Sequence, residues 1–300
     1  MTAKPFAVLE DRRRCDWGPL RQSVEDRLHA LLPEPGDHQQ LLELAMRESA
    51  LAPGKRVRPL LLLLAAEGLG ETRPGVLDMA CAVEMVHAAS LVLDDLPCMD
   101  NATLRRGLPA LHLRVGQDVA ILAAIALLSR AFGLLASADI EAPRKALLGA
   151  ELSRAVGSQG LVRGQYEDLR EGSLSRSPEA IARTNELKTA VLFDASLQMA
   201  AIVAGAQPWV RQALGAFALD LGQAFQLLDD LHDQGPATPA LGKDVGKDAG
   251  KSTLVAVLGQ GGVKHRLRQH LRSAEQHLAK VYRPQQPIRL FVAELFSQFS

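Results

Sequence analysis

The chain has 300 residues, of which 47% are apolar, so it can bury a hydrophobic core in one large domain or in two ordinary ones. Its 34 basic and 34 acidic side chains cancel, which excludes a global field that would recruit nucleic acid or an anionic membrane. The odd set Cys15, Cys81 and Cys98 lacks metal-ligand spacing, and the N-terminus lacks an apolar segment of signal-peptide length. We therefore expect a cytoplasmic protein.

The predicted elements, in chain order, are all helices. Long stretches follow a helical period, and no alternating run of β-branched residues predicts a strand. Prolines mark several of the breaks, as at Pro53, Pro178 and Pro208. We predict one all-α domain over residues 1–300, with helices at about 19–32, 37–51, 58–68, 74–96, 115–137, 143–170, 178–204, 208–233 and 262–282.

Residues 119–138 form an apolar stretch that is long enough to span a bilayer. Arg130 near its middle would cost about 2.5–3.5 kcal/mol in a membrane. No basic flank sets an orientation. We predict a buried helix in this stretch and no membrane span.

A first acidic cluster begins in the last turn of the predicted fourth helix, where the sequence reads DDLPCMD. On a straight helix Asp94 and Asp100 would lie about 120° apart. Pro97 interrupts the helical hydrogen bonds, so the segment between them can bulge and return Asp100 toward Asp94. The sequence therefore predicts that these two carboxylates meet, with Asp95 beside them.

A second acidic cluster, DDLHD, ends the predicted eighth helix. Asp229 and Asp233 are one turn apart and share a face, with Asp230 between them. Oxygen ligands favour magnesium over zinc, and magnesium shares its coordination shell with phosphates. Basic residues suited to phosphate accompany both clusters: Lys55, Arg56, Arg58, Arg105, Arg106, Lys188, Lys243, Lys247 and Lys251. These residue types predict a site for two diphosphates above an apolar interior.

Five motifs, in this order, resemble those of trans-polyprenyl diphosphate synthases, most closely the geranylgeranyl diphosphate synthases of bacterial carotenoid pathways. They read HAASLVLDDLPCMDNATLRRGLPALH, GLVRGQYEDL, LKTA, GQAFQLLDDLHD and GKDVGKDAGKST, and the resemblance spans about residues 54–253. It implies an isoprenoid-synthase-like helical bundle around a deep central cavity, usually as a homodimer. The implied reaction is magnesium-dependent, head-to-tail condensation of isopentenyl diphosphate with dimethylallyl, geranyl or farnesyl diphosphate.

The resemblance also implies roles for individual residues. Three magnesium ions would be held, when substrate is bound, by Asp94, Asp95, Asp100, Asp229, Asp230 and Asp233. All but the last of these, with Lys188, would be catalytic. The allylic diphosphate would be bound by Arg105, Lys188, Thr189, Gln226, Lys243 and Lys251, and isopentenyl diphosphate by Lys55, Arg58, His87 and Arg106. One departure is the C-terminus, which reads LFVAELFSQFS where many relatives have a basic tail.

Product length is expected to depend on the helix that precedes Asp94. The small residues Ala89 and Ser90 lie about one turn before it, where short-chain relatives often have an aromatic side chain. Val86 and Met85 lie deeper. We predict geranylgeranyl diphosphate as the main product, with Ala89→Phe shifting it to farnesyl diphosphate.

Three alternatives remain at this stage, and a fourth is excluded. A farnesyl diphosphate synthase would carry the same motifs. A terpene cyclase usually has an Asn/Ser/Glu metal motif in place of DDLHD, and a non-catalytic partner subunit tends to lack one acidic cluster. A di-iron bundle would need a second ExxH besides the one formed by Glu84 and His87, and the sequence has none.

Overall fold

The computed structural model describes residues 15–36, 40–172, 174–233 and 254–297, with only the backbone of Asp233. Its first half contains α1 (Gly18–Leu31), α2 (Leu41–Ala50), α3 (Val57–Gly68), α4 (Gly75–Asp94), a hairpin of β1 (Leu104–Arg105) and β2 (Leu108–Pro109), α5 (Leu111–Val115), and α6 (Gln117–Ser137). Its second half contains α7 (Ala142–Val156), α8 (Leu161–Glu171), α9 (Pro178–Asn185), a π-helical turn (Glu186–Ala190), α10 (Val191–Val203), α11 (Pro208–Asp233), α12 (Leu254–Val281) and α13 (Pro287–Leu295).

The helices confirm the all-α prediction, and α4 lies at the centre. It packs against α1, α2, α3, α6 and α10, because apolar residues surround most of its circumference. The second acidic cluster ends α11, which packs on α10 and α12. A hydrophobic core runs from Val24 of α1 to Val292 of α13 among the described residues. The bundle thus brings the ends of two distant helices to one site.

One predicted helix is broken by glycine, and one short helix was not predicted. The segment predicted at 115–137 corresponds to α6, and the unpredicted α5 precedes it, separated from it by Gly116 with its φ of 90°. The segment predicted at 143–170 forms α7 and α8. A Cβ on Gly160 would lie 2.0 Å from the carbonyl oxygen of Ala155, so the chain turns where only glycine fits. Continuous periodicity concealed the break between α7 and α8.

The helices in the C-terminal part also differ from the predicted ones. Helix α12 begins at Leu254 instead of residue 262 and kinks at Gly259, whose φ of 68° interrupts the helix. Helix α13 was not predicted. It ends beside Phe296, a fully buried residue. The short β1–β2 hairpin was also missed, since two-residue strands have no periodicity to detect.

Helices α4 and α6 both have the length and composition of a membrane span. The most apolar window of α4 is 67% buried within the protein, and that of α6 is 39% buried. The predicted helix at 119–138 is confirmed, but its burial is only partial, because one apolar face of α6 is exposed. That face contains Ile121, Leu122 and Ile125.

Candidate active site

The first acidic cluster closes on itself as the sequence predicts. Helix α4 ends at Asp94, and the next residues turn back, so that the backbone amide of Asp100 donates to the carbonyl oxygen of Asp94 at 2.9 Å. Asn101, which follows, adopts a left-handed conformation with φ of 49° and donates its amide to Leu96. Asp94 and Asp100 are thereby held on one short loop.

Asp95 is directed to a different partner. Its buried carboxylate accepts hydrogen bonds from Nε and Nη2 of Arg105, in a bidentate pair. It does not line the polar cavity described below, whereas Asp94 and Arg105 do. The geometry therefore argues against Asp95 as a metal ligand. It indicates instead that Asp95 orients Arg105.

The second cluster divides in the same way. Asp229 is exposed and lines the cavity. Asp230 is buried and accepts a hydrogen bond of 2.9 Å from Gln226, which in turn accepts one of 3.1 Å from Thr189. Asp230 thus anchors a side-chain relay. The side chain of Asp233, and all of Lys243 and Lys251, lie outside the described residues.

Lys188 and Thr189 lie on the π-helical turn between α9 and α10. Such single turns offset the helix register locally and are frequent at functional sites. The turn is held between two glycines. A Cβ on Gly164 of α8 would lie 2.7 Å from the backbone nitrogen of Lys188, and one on Gly222 of α11 would lie 2.3 Å from Cβ of Ala190. Close packing therefore fixes the turn on both sides.

These residues enclose a cavity of about 330 Å³, here called the polar cavity. Asp94 and Asp229 face it from two helix ends, and Lys188, whose Nζ contacts Asp168 at 2.8 Å, faces it from the π-helical turn. The lining contains most of the basic residues predicted from the sequence: Lys55, Arg56, Arg58, Arg105, Arg106 and Lys188. Asp94, Asp229 and the buried Glu84 thus face a concentration of cations, as a diphosphate site requires.

Arg58 lies at the base of the polar cavity. Its guanidinium carbon is 4.5 Å from the ring centroid of Phe193, and its Nη1 is 3.4 Å from Nε2 of His87. Burial lowers the pKa of Arg58 to about 10. Burial and the surrounding arginines hold the pKa of His87 well below its ordinary value. His87 is therefore neutral at pH 7 and accepts from Arg58.

Arg106 closes the cavity from the hairpin side. Its φ of 54° places it in the left-handed region, and its Nη1 donates to the carbonyl oxygen of Ala52 at 2.7 Å. Gly54 provides the room, because a Cβ there would lie 3.2 Å from both terminal nitrogens of Arg106. Lys55, which follows, is exposed in the cavity mouth.

A second cavity, the apolar cavity, has a volume of about 290 Å³ and adjoins the first. The two share Ser90, Asp94 and Leu161 in their linings. Its remaining walls come from α4, α6, α7 and α8 and include Val86, Leu93, Leu128, Val156, Val162, Tyr166 and Leu169. A charged group in the polar cavity can therefore carry a hydrocarbon chain into the apolar one.

The residues predicted to measure product length fall into two groups. Ser90 and Val86 line the apolar cavity. Ala89 and Met85 are fully buried and line neither cavity, so the expectation of direct contact is corrected for them. At 100° per residue, Ala89 lies about 140° around the helix from Asp94 but only about 40° from Leu93. Ala89 thus borders the face of α4 that lines the apolar cavity, and Met85 lies farther from that face.

Several lining residues were not predicted. Phe193 and Phe225 stack with ring centroids 5.1 Å apart, and Phe225 makes an edge contact with Phe296. Phe225 lies one turn before Asp229, a spacing that could have identified it. Arg56 was expected only as one of the basic residues suited to phosphate, and Glu84 had no assigned role in the site. Their pairing joins α3 to α4 and leaves no local sequence signal.

The donor set fits magnesium recruited together with a phosphate ligand. Among the described residues, no three carboxylate, imidazole or thiol groups form a preassembled metal site. Burial raises the pKa of Asp94 to about 6, with Lys188 opposing and Asp100 adding to the rise. A hard cation would relieve this repulsion between carboxylates. Asp94, Asp100 and Asp229 could hold such an ion through oxygen atoms.

Comparison with known proteins decides the family. Residues 39–284 match the polyprenyl synthetase family. The chain belongs to this family. It is 57% identical over 263 residues to the geranylgeranyl diphosphate synthase of Pantoea ananas, covering 87% of this chain and 86% of that one. It is 56% identical over 262 residues to the enzyme of the same name from Pseudescherichia vulneris, covering 86% and 84%.

Solved structures support the same membership of the polyprenyl synthetase family. A geranyltransferase from Helicobacter pylori, described as complexed with magnesium and isoprenyl diphosphate, superposes with a TM-score of 0.84 at 29% identity, covering 94% of this chain and 95% of that one. A farnesyl/geranylfarnesyl diphosphate synthase from Zymomonas mobilis gives 0.82 at 31% identity, covering 92% and 96%. The helical bundle predicted from the motifs is therefore the fold of this synthetase.

Proposed function

We propose that this polyprenyl synthetase condenses isopentenyl diphosphate head to tail with dimethylallyl, geranyl and farnesyl diphosphates, and that its main product is geranylgeranyl diphosphate. The observation that carries the proposal is the junction of the two cavities at Ser90, Asp94 and Leu161. A diphosphate among the cations would direct its prenyl chain past Ser90 between α4 and α8. The relatives of high identity named above support the same reaction.

The allylic diphosphate is assigned to the side of the polar cavity formed by Asp94, Asp229 and Lys188. Lys188 is oriented by Asp168, and Arg105 by Asp95.

Magnesium, with three ions per site, would supply charge stabilisation to the leaving diphosphate when bound by Asp94, Asp100 and Asp229. Lys188 stabilises the same developing charge. The relay from Thr189 through Gln226 to Asp230 fixes the side chain of Thr189 at the cavity wall.

Isopentenyl diphosphate is assigned to Lys55, Arg58, His87 and Arg106 at the opposite side. Because Arg58 is fixed by Phe193 and His87, it enters the reaction in one orientation. The isopentenyl double bond attacks the allylic carbon as its bond to oxygen breaks. The proton lost afterwards passes to the released diphosphate. Phe193, Phe225 and Leu192 keep water from the cationic carbon.

Purified protein supplied with isopentenyl and farnesyl diphosphates tests the proposal. We expect geranylgeranyl diphosphate as the main product by chromatography, dependent on magnesium or manganese. Farnesyl diphosphate as the end product from shorter primers would favour the alternative farnesyl synthase. A cyclic hydrocarbon from geranylgeranyl diphosphate alone would favour a cyclase, and no product at all would favour a non-catalytic subunit.

We also propose that the protein acts as a homodimer in the cytoplasm. The exposed face of α6 contains Leu122 and Ile125, which are 55% and 56% exposed, and burying it against a second copy would remove them from water. The three cysteines are free thiols, as suits a reducing compartment. Light scattering should give a dimer for the wild type and a monomer for Leu122→Asp. A monomeric wild type would contradict the dimer.

A further inference from the structure

A buried ion pair links the turn before α3 to the centre of α4. Arg56 Nη1 donates to Glu84 Oε1 at 2.6 Å, and each residue is only 3% exposed. Glu25 of α1 approaches the other side of the same guanidinium, with 3.6 Å between its Oε1 and Nε of Arg56. If either partner were removed, the other would remain as a buried charge without compensation, which strongly destabilises the folded protein.

Arg56 also has an uncommon backbone conformation. Its φ of 50° and ψ of 37° are left-handed, where a residue with a Cβ is disfavoured by about 1–3 kcal/mol. It serves as the N-cap of α3 without a side-chain cap. Strain of this kind persists only where surrounding contacts hold it, and here the contact is the bond to Glu84.

The residues on either side of Arg56 belong to the isopentenyl side of the polar cavity. Lys55 precedes Arg56, and Arg58 lies in the first turn of α3. Glu84 lies one turn before His87 on α4, and His87 contacts Arg58. The ion pair therefore ties together the two segments that supply Lys55, Arg58 and His87.

The same pair balances charge within this cluster. Glu84 acts electrostatically on Arg58 and Arg106 in the direction that favours their charged forms, whereas Arg56 acts on Arg106 in the opposite direction. Among the described residues that line the polar cavity, Glu84 is the only carboxylate that is buried. Its loss would leave Arg56 buried without its strongest partner and would free the strained turn to move.

We propose that Arg56 and Glu84 are positioning residues of the isopentenyl diphosphate site: their buried ion pair holds the strained turn in the conformation that presents Lys55 and Arg58 beside His87. The proposal rests on the proposed function. Both residues border the polar cavity but are only 3% exposed, and Nε and Nη2 of Arg56 are closed off from solvent, so we assign them to positioning and not to substrate contact. Loss of the ion pair should therefore change the KM for isopentenyl diphosphate and not that for the allylic substrate.

Glu84→Gln tests the proposal, because it preserves shape and removes charge. We expect the KM for isopentenyl diphosphate to rise by at least about tenfold, the scale found when an outer hydrogen-bond partner of a bound group is removed. The KM for farnesyl diphosphate should stay within about twofold of wild type, since its side of the cavity is unchanged. Asp78→Asn is the matched control: it removes another α4 carboxylate, paired with Arg27 at 2.6 Å, that lines neither cavity.

An unchanged KM for isopentenyl diphosphate in Glu84→Gln, or an equal rise for both substrates, would overturn the proposal. If Glu84→Gln does not fold, Arg56→Met combined with Glu84→Met decides, because it leaves no buried charge unpaired. A folded double variant with a raised KM for isopentenyl diphosphate alone supports the proposal, and one with wild-type constants overturns it. A wild-type protein that forms no prenyl product contradicts the proposed function instead.

Discussion

The backbone amide of Asp100 donates a hydrogen bond of 2.9 Å to the carbonyl oxygen of Asp94, across a turn that begins where α4 ends. The helix alone would separate these residues by about 120°. The turn containing Pro97 returns the chain to the end of α4. One short loop therefore carries both acidic side chains next to the polar cavity, which Asp94 lines.

Neutralising either cavity-facing aspartate should abolish most activity. We expect Asp94→Asn and Asp229→Asn each to lower turnover by at least about a hundredfold, the scale of losing one charge stabiliser in a transition state. Asp26→Asn, on the exposed face of α1, is the control and should retain turnover. Steady-state assays with isopentenyl and farnesyl diphosphates measure the effect. Wild-type turnover in excess chelator would show that no metal is needed.

Removing the exposed cation Lys55 should weaken one substrate selectively. Lys55→Ala is expected to raise the KM for isopentenyl diphosphate by about tenfold and that for farnesyl diphosphate much less, because Lys55 lies on the Arg58 side of the cavity. Lys264→Ala removes an exposed lysine from α12 and serves as the control. Equal effects on both constants would mean that the two diphosphate sites are assigned the wrong way round.

Product length should respond to larger side chains on the face of α4 that lines the apolar cavity. Ser90→Phe places a ring in the apolar cavity, and Ala89→Phe places one beside Leu93 at its border, so both should shift the main product to farnesyl diphosphate. Met85→Leu, a swap of similar volume at a buried position outside the lining, should leave product length unchanged. Product chromatography distinguishes these cases. Geranylgeranyl diphosphate as the main product of both Phe variants would refute the role of this face.

The π-helical turn should tolerate no side chain at Gly222. An alanine Cβ there would lie 2.4 Å from Cα of Ala190, so backbone must move, at a cost of about 1–3 kcal/mol or more. Gly149→Ala in α7 meets no atom within 4 Å and should instead stabilise the helix by roughly 0.5–1 kcal/mol. Thermal unfolding and turnover measure both variants. A Gly222→Ala protein with wild-type turnover would contradict a tightly held turn.

Stability should depend on pH through His87. Its folded pKa is depressed below the ordinary value of 6.5, so the unfolded chain binds the proton more readily. The stabilisation is present above about pH 6.5 and is lost as pH falls toward the folded pKa, by up to about 1.4 kcal/mol per pH unit. In urea unfolding, wild type should lose more stability than His87→Gln between about pH 7 and 5.5. Parallel pH dependence of the two proteins would contradict a buried neutral histidine.

Most helices, both acidic helix ends and the basic residues that accompany them can be predicted from the sequence. These features are local: periodicity reports which face of a helix is apolar, and spacing reports which side chains share that face. The return of Asp100 to Asp94 followed from Pro97, because one proline limits the backbone within a few residues.

Which member of each aspartate pair faces the cavity depends instead on how the whole chain packs. Asp94 and Asp229 do, whereas Asp95 faces Arg105 and Asp230 faces Gln226. Neighbouring residues on a helix point about 100° apart, and packing of the whole bundle determines which direction opens on the cavity. The pairing of Arg56 with Glu84 depends on how α3 docks against α4, a contact between segments that no local pattern encodes.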